Sequence, residues 1–537
     1  MLAATSVRPD LQPRPRISVT PTDLLAALPD GGRLDDAGRP AGCAPVRLVD
    51  VTHDHRQAAP GVLYACRPGR RVDGHDYAAA AVAAGSPALL VERVLPVAVP
   101  QLLVPSVADA LGPAATAVHG HPSRSLLLLG VTGTNGKTTT AYLLESILAA
   151  AGHRTGLIGT VSTRVAGEPV AGVRTTPEAP DLQRLLRRMV AAGVTGAAME
   201  VSSHGLALGR VAGTVFAAAV FTNLSQDHLD FHRDLDDYFA AKARLFVSEH
   251  TPVGVVNVDD PWGARLADLA TVEILRVSPS GTAAGAAAIA RDVTADRRGA
   301  IFTAAIGGRA VRVRTRLPGH FNVANALCAL AAAEATGLDL DAAAAGVTAL
   351  AGVPGRLEPV EAGQPFGVFV DYAHTPDSLA NVLAAARRLA DDDRHTGVAG
   401  GHRRPMTGGP AGRVLVVIGC GGDRDAGKRP LMGATAAALA DVAVLTSDNP
   451  RSEDPRAILA AMADGARTVA GARWTVEEDR RTAIAAALGE AAAGDIVVIA
   501  GKGHETSQEF ADRVVPFDDR TVAAEALAAR DGAGAPP

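Results

Sequence analysis

The chain has 537 residues, too many for one hydrophobic core and enough for roughly three domains. Its formal net charge is −5 and its pI about 6.3, so no basic face recommends nucleic acid as a partner, and no apolar run reaches a membrane-spanning length. Cys43, Cys66, Cys328 and Cys420 are scattered without a C-x-x-C, which suits a reducing cytoplasm and gives no zinc site.

Residues 1–17 carry Arg and Pro but no apolar h-region, and read as a disordered tail rather than a signal peptide. Thr20-Pro-Thr-Asp opens a short helix with an N-cap signal. Strands are expected at Val46–Thr52, within Ala58–Cys66 and at Leu89–Glu92, with an Ala-rich helix over 78–84. These make a small N-terminal α/β domain over 18–123. Its polar loop Gly69–His75 holds Arg70 and Arg71; taken alone it reads equally as a solvated turn.

Leu126–Val131 then reads as a buried parallel strand, Gly133–Thr139 as a Gly-rich turn and Ala141–Ala151 as a helix with Glu145 on its other face. Strand, Gly-rich turn and helix make a phosphate-binding layout. The backbone N–H groups of Gly133, Thr134, Asn135 and Gly136 and the helix N-terminus would face an anion. Lys137 would neutralise phosphate charge and the Thr138 hydroxyl would ligate Mg²⁺, with Thr139 following. Val131 stands where the generic pattern has its first glycine, so the turn is a shorter G-T-N-G-K-T. The bland alternative is a turn that binds nothing.

The strand–helix alternation continues. Arg174–Glu178, with Thr175 and Thr176, is a polar turn before helix 179–192. Thr195–His204 is a strand whose end presents Glu200 and Ser202, and Ala217–Thr222 is a strand leading to Asn223–His232. Ligands of open parallel sheets bind beyond the carboxyl ends of strands. Glu200 and His228 emerge there and with Thr138 form a candidate Mg²⁺ ligand set, although either could be a surface cap. Helix 236–247 carries Lys242. It is either a snorkelling stem or a partly buried amine of lowered pKa able to take up CO₂ as a carbamate; the sequence leaves both open. Residues 280–316 read as short strands with Gly turns. Asn322 and Asn325 share a face of the next helix, placed to meet a base edge or to cap. This central domain spans 124–353.

Near Val353-Pro-Gly-Arg356 the pattern restarts. Apolar runs at Phe366–Val370, Val414–Ile418, Val442–Leu445 and Ile496–Ile499 each close on a polar loop, a third domain of doubly wound type over 354–537. Within it, 391–413 is aperiodic and rich in Gly, Arg and Asp, a disordered insertion.

Lysine usage adds a pointer. Of 52 basic residues only Lys137, Lys242, Lys428 and Lys502 are lysines. Where Arg has replaced Lys so widely, the survivors should sit where a compact, deprotonatable amine is needed.

The set Thr132–Thr139, Met199–His204, Asn223–His228, Ala240-Ala-Lys242, Asp371-Tyr-Ala-His-Thr-Pro376 and Gly501-Lys-Gly-His-Glu505 resembles the Mur ligases, and among them the diaminopimelate-adding branch, over about residues 46–525. The resemblance implies a three-domain α/β architecture with a central P-loop parallel-sheet domain and a C-terminal Rossmann-like domain. It implies ATP, two Mg²⁺ sites and a CO₂-derived carbamate on Lys242. ATP would phosphorylate the D-glutamate side-chain carboxylate of UDP-N-acetylmuramoyl-L-alanyl-D-glutamate, and the amine of meso-diaminopimelate would attack the acyl phosphate. By the same match Glu200 and His228 are metal ligands, and Asn325, Arg356, Asp371 and His374 surround the nucleotide. Thr175, Thr176, Ser202 and Arg210 hold the UDP-dipeptide, with His55, Arg70 and Arg71 towards uridine. Arg424, Asp448, Asn449, Pro450, Arg451, Gly501 and Glu505 form the diaminopimelate pocket. Arg451 would pair bidentately with its far carboxylate; lysine-adding relatives lack this arginine. His55 departs from the family's Asp-Ser-Arg serine, and His53 from a usual apolar residue. The resemblance further implies a cytoplasmic monomer, without nucleic-acid partner or membrane insertion.

Competing readings are a lysine-adding or folyl-polyglutamate-type ligase, a catalytically dead nucleotide-binding homologue, and a motor or switch P-loop ATPase. The Asn449-Pro-Arg451 context argues against the first pair and the complete lysine and ligand set against the second. Glu200 in place of a Walker-B-like Asp argues against the third.

Overall fold

The computed structural model describes residues 18–28, 32–36, 45–69, 72–172, 174–229, 231–392, 397–399, 402–404 and 412–533. Residues 1–17, Arg70 and Arg71 lie outside the described residues. Three sheets, each with helices against it, form a three-domain α/β architecture.

The N-terminal sheet has the strand order Arg33–Asp35, Gln101–Leu103, Leu89–Val91, Val62–Ala65, Asp50–Thr52. All neighbours are parallel except the first pair. Helix Val107–Val118 shares a core with Leu48, Val51, Leu63 and Leu102. Sequence reading missed the strands at 33–35 and 101–103, since three residues are too few to display a period.

The central sheet has eleven strands. Leu127–Thr132 lies in its middle, parallel to Gly196–Glu200 on one side and Ala218–Phe221 on the other. The phosphate loop, Glu200 and the segment after Phe221 therefore open at the same carboxyl edge. Residues 280–316 are longer strands than expected: Ala288–Asp296, Gly299–Ile306 and Arg309–Thr315 form an antiparallel extension, bulged between Arg291 and Thr294. Helices Lys137–Ala150 and His320–Ala335 pack on the sheet through alanines and leucines. Two expectations are corrected here. The phosphate-loop helix begins at Lys137 rather than Ala141, because Gly136 in a left-handed conformation ends the turn. Glu145 is buried rather than outward, satisfied by Arg164, whose Nε donates to Glu145 Oε1 at 3.2 Å.

The C-terminal sheet runs Glu358–Pro359, Gly367–Asp371, Ile496–Ala500, Val414–Ile418, Val442–Leu445, Trp474–Val476. Only the first pair is antiparallel. The four apolar runs are its four inner strands; the two edge strands lack an apolar run and escaped notice. Helix Pro376–Asp392 reaches into the segment 391–413, and 397–399 pairs antiparallel with 402–404. The rest of that segment up to residue 411 lies outside the described residues. Among the described residues no helix is long and apolar enough to cross a membrane.

Candidate active site

Beyond the carboxyl edge of the central sheet lies a cavity of about 750 Å³, closed on its far side by the C-terminal domain. Its floor is the phosphate loop. Two glycines there are obligatory. A Cβ on Gly133 (φ 146°) would sit 1.9 Å from Thr222 Oγ1, and one on Gly136 (φ 84°) would sit 2.4 Å from Asn325 Oδ1. Asn325 thus packs directly over the loop, while Asn322 turns back to the segment before its helix, donating to the Pro318 carbonyl at 2.7 Å.

Lys137 Nζ donates to the carbonyls of Gly133 (2.9 Å) and Thr134 (2.8 Å). Lys242 Nζ donates to the same Gly133 carbonyl at 2.7 Å and stands 4.4 Å from the Tyr238 ring centroid. Lys242 is 1% exposed, so its stem does not snorkel. Burial, reinforced by the Lys137 charge, pushes its pKa well below the usual lysine range; burial lowers Lys137 as well.

Glu200 ends its strand fully buried. Its carboxylate accepts from Thr138 Oγ1 (3.0 Å), Thr160 Oγ1 (3.1 Å) and the Thr160 N–H (2.7 Å). The Thr138 hydroxyl also accepts from Arg356 Nη2 at 3.2 Å, a bond from the start of the C-terminal domain to the phosphate loop. His228 lines the cavity with φ 55°. Burial, opposed by Asp227 and reinforced by Lys137, His204 and Lys242, brings its pKa down to about 4, so the ring is neutral near pH 7. Asp371 accepts from the N–H groups of Leu357 (2.7 Å) and Ala373 (2.8 Å) and orders the segment carrying Arg356. His374 Nδ1 meets the Tyr372 carbonyl at 2.8 Å.

Among the described residues no group of three or more His, Cys, Asp or Glu is gathered as a cage. Mg²⁺ takes few protein carboxylates and fills its shell with phosphate and water oxygens. The Thr138 hydroxyl, the Glu200 carboxylate and the neutral His228 in one cavity fit such a nucleotide-bound cation.

Asp377 was missed by the sequence reading. Its Oδ2 accepts from Ser225 Oγ (2.6 Å) and Asn135 Nδ2 (3.3 Å), tying the C-terminal domain to the phosphate loop. Its one sequence signal was its place directly after the Asp371–Pro376 motif.

Beside this cavity, Thr176 Oγ1 donates to the Glu200 carbonyl at 3.0 Å and accepts from the Ser202 N–H at 2.9 Å. Thr175 and Ser202 line the cavity. Arg210 Nη1 donates to the Thr176 carbonyl at 3.2 Å, and Nη2 lies 2.8 Å from Glu178. Glu178, also unanticipated, further meets Arg67 and Arg174. His55 does not line this cavity; it stacks on Tyr77 with centroids 4.4 Å apart.

The loops after Leu445 and Ala500 meet at the carboxyl edge of the C-terminal sheet. Asn449 Nδ2 donates to Glu505 Oε2 at 2.8 Å. Arg451 has φ 52°, a costly conformation for a long side chain. Its Nη1 donates to the Gly422 carbonyl (2.7 Å) and its Nε to Glu509 (3.1 Å). Gly501 (φ 109°) starts the second loop, and Arg424 acts on the Tyr372 hydroxyl through its charge.

A phosphate loop facing buried amines, with a second α/β domain closed over it, defines a nucleotide-dependent enzyme that assembles its reactants across a domain boundary. The profile of the Mur ligase middle domain matches residues 131–333, and that of the Mur ligase glutamate ligase domain matches 355–408 and 404–503. A protein of Streptomyces coelicolor named UDP-N-acetylmuramoyl-L-alanyl-D-glutamate–2,6-diaminopimelate ligase is 46% identical over 531 residues, 97% of this chain and 99% of the relative. One of the same name from Geobacillus kaustophilus is 44% identical over 490 residues, 90% and 95% of the two chains. A solved structure of a ligase with that name superposes with a TM-score of 0.64 at 35% identity, covering 90% of this chain and 96% of the other. The chain belongs to the Mur ligase family and is an ATP-dependent, amide-forming ligase.

Proposed function

We propose that the chain joins meso-2,6-diaminopimelate to the D-glutamate side-chain carboxylate of UDP-N-acetylmuramoyl-L-alanyl-D-glutamate, in peptidoglycan synthesis, as a cytoplasmic monomer. The names borne by its relatives support the substrates. The observation that carries the chemistry is the convergence of Lys137, Lys242, Glu200 and Arg356 on Gly133–Thr138.

The substrate carboxylate oxygen attacks the γ-phosphorus of ATP and ADP leaves, giving an acyl phosphate. The diaminopimelate amine then attacks the acyl carbon, loses its proton, and phosphate departs. Such transfer requires chiefly positioning and charge neutralisation. Lys137 offers its charge to the β- and γ-phosphates by leaving the loop carbonyls it now caps. Asn325, Arg356, Asp371 and His374 enclose the nucleotide. Thr138, Glu200, His228 and a carbamate on Lys242 would hold Mg²⁺, which supplies electrostatic neutralisation when bound. A neutral buried amine is the form that reacts with CO₂, and the resulting anion would relieve the crowding of Lys242 against Lys137. Thr175, Thr176, Ser202 and Arg210 serve the UDP-dipeptide, with Arg70, Arg71 and His55 towards uridine. Arg424, Asp448–Arg451, Gly501 and Glu505 serve diaminopimelate.

The test is amino-acid-dependent phosphate release with ATP and the UDP-dipeptide, comparing meso-diaminopimelate with L-lysine. Release with diaminopimelate and little with lysine is expected. Equal use of lysine, or release independent of either amino acid, overturns the reading.

A further inference from the structure

Nothing above uses Lys502. In a chain with 48 arginines and four lysines, it is wholly buried in the loop between strands Ile496–Ala500 and Ser507–Glu509. Its Nζ lies 2.9 Å from Asn449 Oδ1, 3.1 Å from Glu505 Oε2 and 3.5 Å from Asp448 Oδ1. An ammonium has three protons and no lone pair, so each proton has one acceptor.

This arrangement dictates the rest of the pocket. Asn449 Oδ1 receives both Lys502 Nζ and the Glu509 N–H (3.0 Å), two groups that can only donate. The amide orientation of Asn449 is therefore fixed, and Nδ2 must point to Glu505 Oε2. Glu505 Oε2 thus takes two bonds, while Oε1 has no protein partner among the described residues.

The bland alternative is a buried ion pair that merely braces the sheet. That task is already filled by Arg480 and Asp519, both wholly buried. Arg480 donates to Asp519 at 2.8 and 2.7 Å and to the carbonyls of Ser447 (3.4 Å), in the first loop, and Ala500 (2.9 Å), the strand end before the second. Lys502 acts one step further out, on the side chains of Asn449, Glu505 and Asp448, which do not themselves line the nucleotide cavity. After burial, the Glu505 and Asp448 charges are among those raising the pKa of Tyr372, which lines that cavity. The loop has no slack either: a Cβ on Gly503 would lie 2.7 Å from Tyr372 Cβ. A guanidinium is larger than an ammonium and planar, and would not place three N–H groups on these convergent acceptors.

We propose that Lys502 is a positioning residue of the amino-acid pocket, locking Asn449 and Glu505 so that Glu505 Oε1 stays free for the ammonium group of the incoming amino acid. This rests on the proposed function, which supplies the amine-bearing substrate.

The experiment is steady-state phosphate release by the full chain, varying diaminopimelate, ATP and UDP-dipeptide in turn, for the unmutated enzyme, K502M, K502Q, E505Q and K502M/E505Q. K502M should raise the KM for diaminopimelate about 10- to 100-fold, the range for a lost charge-assisted bond. The KM for ATP should stay within about twofold of the unmutated value, since no ATP contact is removed. K502M/E505Q should be no worse than E505Q alone, because Lys502 works through Glu505. Should K502M not fold, K502Q is expected to show the same split with a smaller rise. An unchanged diaminopimelate KM in the foldable variant, a parallel rise for ATP, or additive losses in the double variant would overturn the inference. If the unmutated enzyme ignores diaminopimelate, the functional reading falls and this inference with it. Normal use of diaminopimelate with unshifted variants removes the inference alone.

Discussion

Lys242 Nζ lies 2.7 Å from the Gly133 carbonyl oxygen, the same atom that Lys137 reaches at 2.9 Å. Two amines on one carbonyl, one buried and one half-buried, cannot comfortably both be charged. The proposed conversion of Lys242 to a carbamate would resolve this and make an anion beside the phosphate loop. Lys242→Ala should lower ligation by more than about 100-fold, the upper end for losing even an outer partner of a metal. Short carboxylates such as acetate should restore part of it, and Lys242→Arg should not be rescued. Carbon-13 NMR with labelled bicarbonate should give a carbamate signal in the unmutated enzyme that Lys242→Ala lacks. Full activity of the plain variant would exclude the carbamate.

Gly136→Ala should abolish nucleotide binding without unfolding the chain. The added Cβ meets Asn325 Oδ1 in a backbone conformation that alanine disfavours. Calorimetric titration with ATP should show no heat, while the melting temperature should shift by a few degrees only, about 2–4 °C per kcal/mol in a large domain.

Asp377 ties the C-terminal domain to the phosphate loop through Ser225 and Asn135. Asp377→Ala should shift the balance toward an open arrangement by about fivefold or more, since each bond is worth about 1 kcal/mol. Small-angle scattering should report a larger radius of gyration for the variant. An unchanged radius, together with an unchanged KM for ATP, would count against this role.

Asp50 joins the N-terminal sheet to helix Ala179–Ala191 through Arg184 (2.9 Å) and also meets His119 (3.1 Å). Burial pushes its carboxyl up, but the hydrogen bonds from His119 and Arg184 outweigh burial and bring it down to about 2. The unfolded chain binds the proton more readily than the folded one, so stability from this group is complete above pH 3.8 and is lost as pH falls towards 2. Asp50→Asn should lower the first unfolding transition by about 1–3 kcal/mol at pH 7. The gap to the unmutated chain should narrow below pH 3.8, and a gap independent of pH would refute the assignment.

Arg451 has Glu509 as a partner before any ligand arrives. Arg451→Ala should weaken diaminopimelate use by about 10- to 100-fold, as for other charge-assisted pairs, with ATP affinity kept. Glu509→Gln should tighten diaminopimelate modestly, by releasing the guanidinium. Isotherms with each variant separate the two effects.

The chain itself declared the phosphate loop, the inner strands and the family to which it belongs. Each is written in contiguous residues whose period or turn chemistry is local. The rarity of lysine also singles out Lys242 and Lys502 within the sequence. What it left out were contacts between segments far apart in the chain. Three-residue edge strands have no period to read, and Glu145 looked solvent-facing because its partner Arg164 comes from another element. Only tertiary structure decided that Lys242 is buried, that Asp377 reaches Asn135 across a sequence gap of 242 residues, and that Lys502 fixes the Asn449 amide. Local preferences choose the elements, whereas burial and hydrogen-bond partnership depend on which loops the parallel sheets bring to one edge.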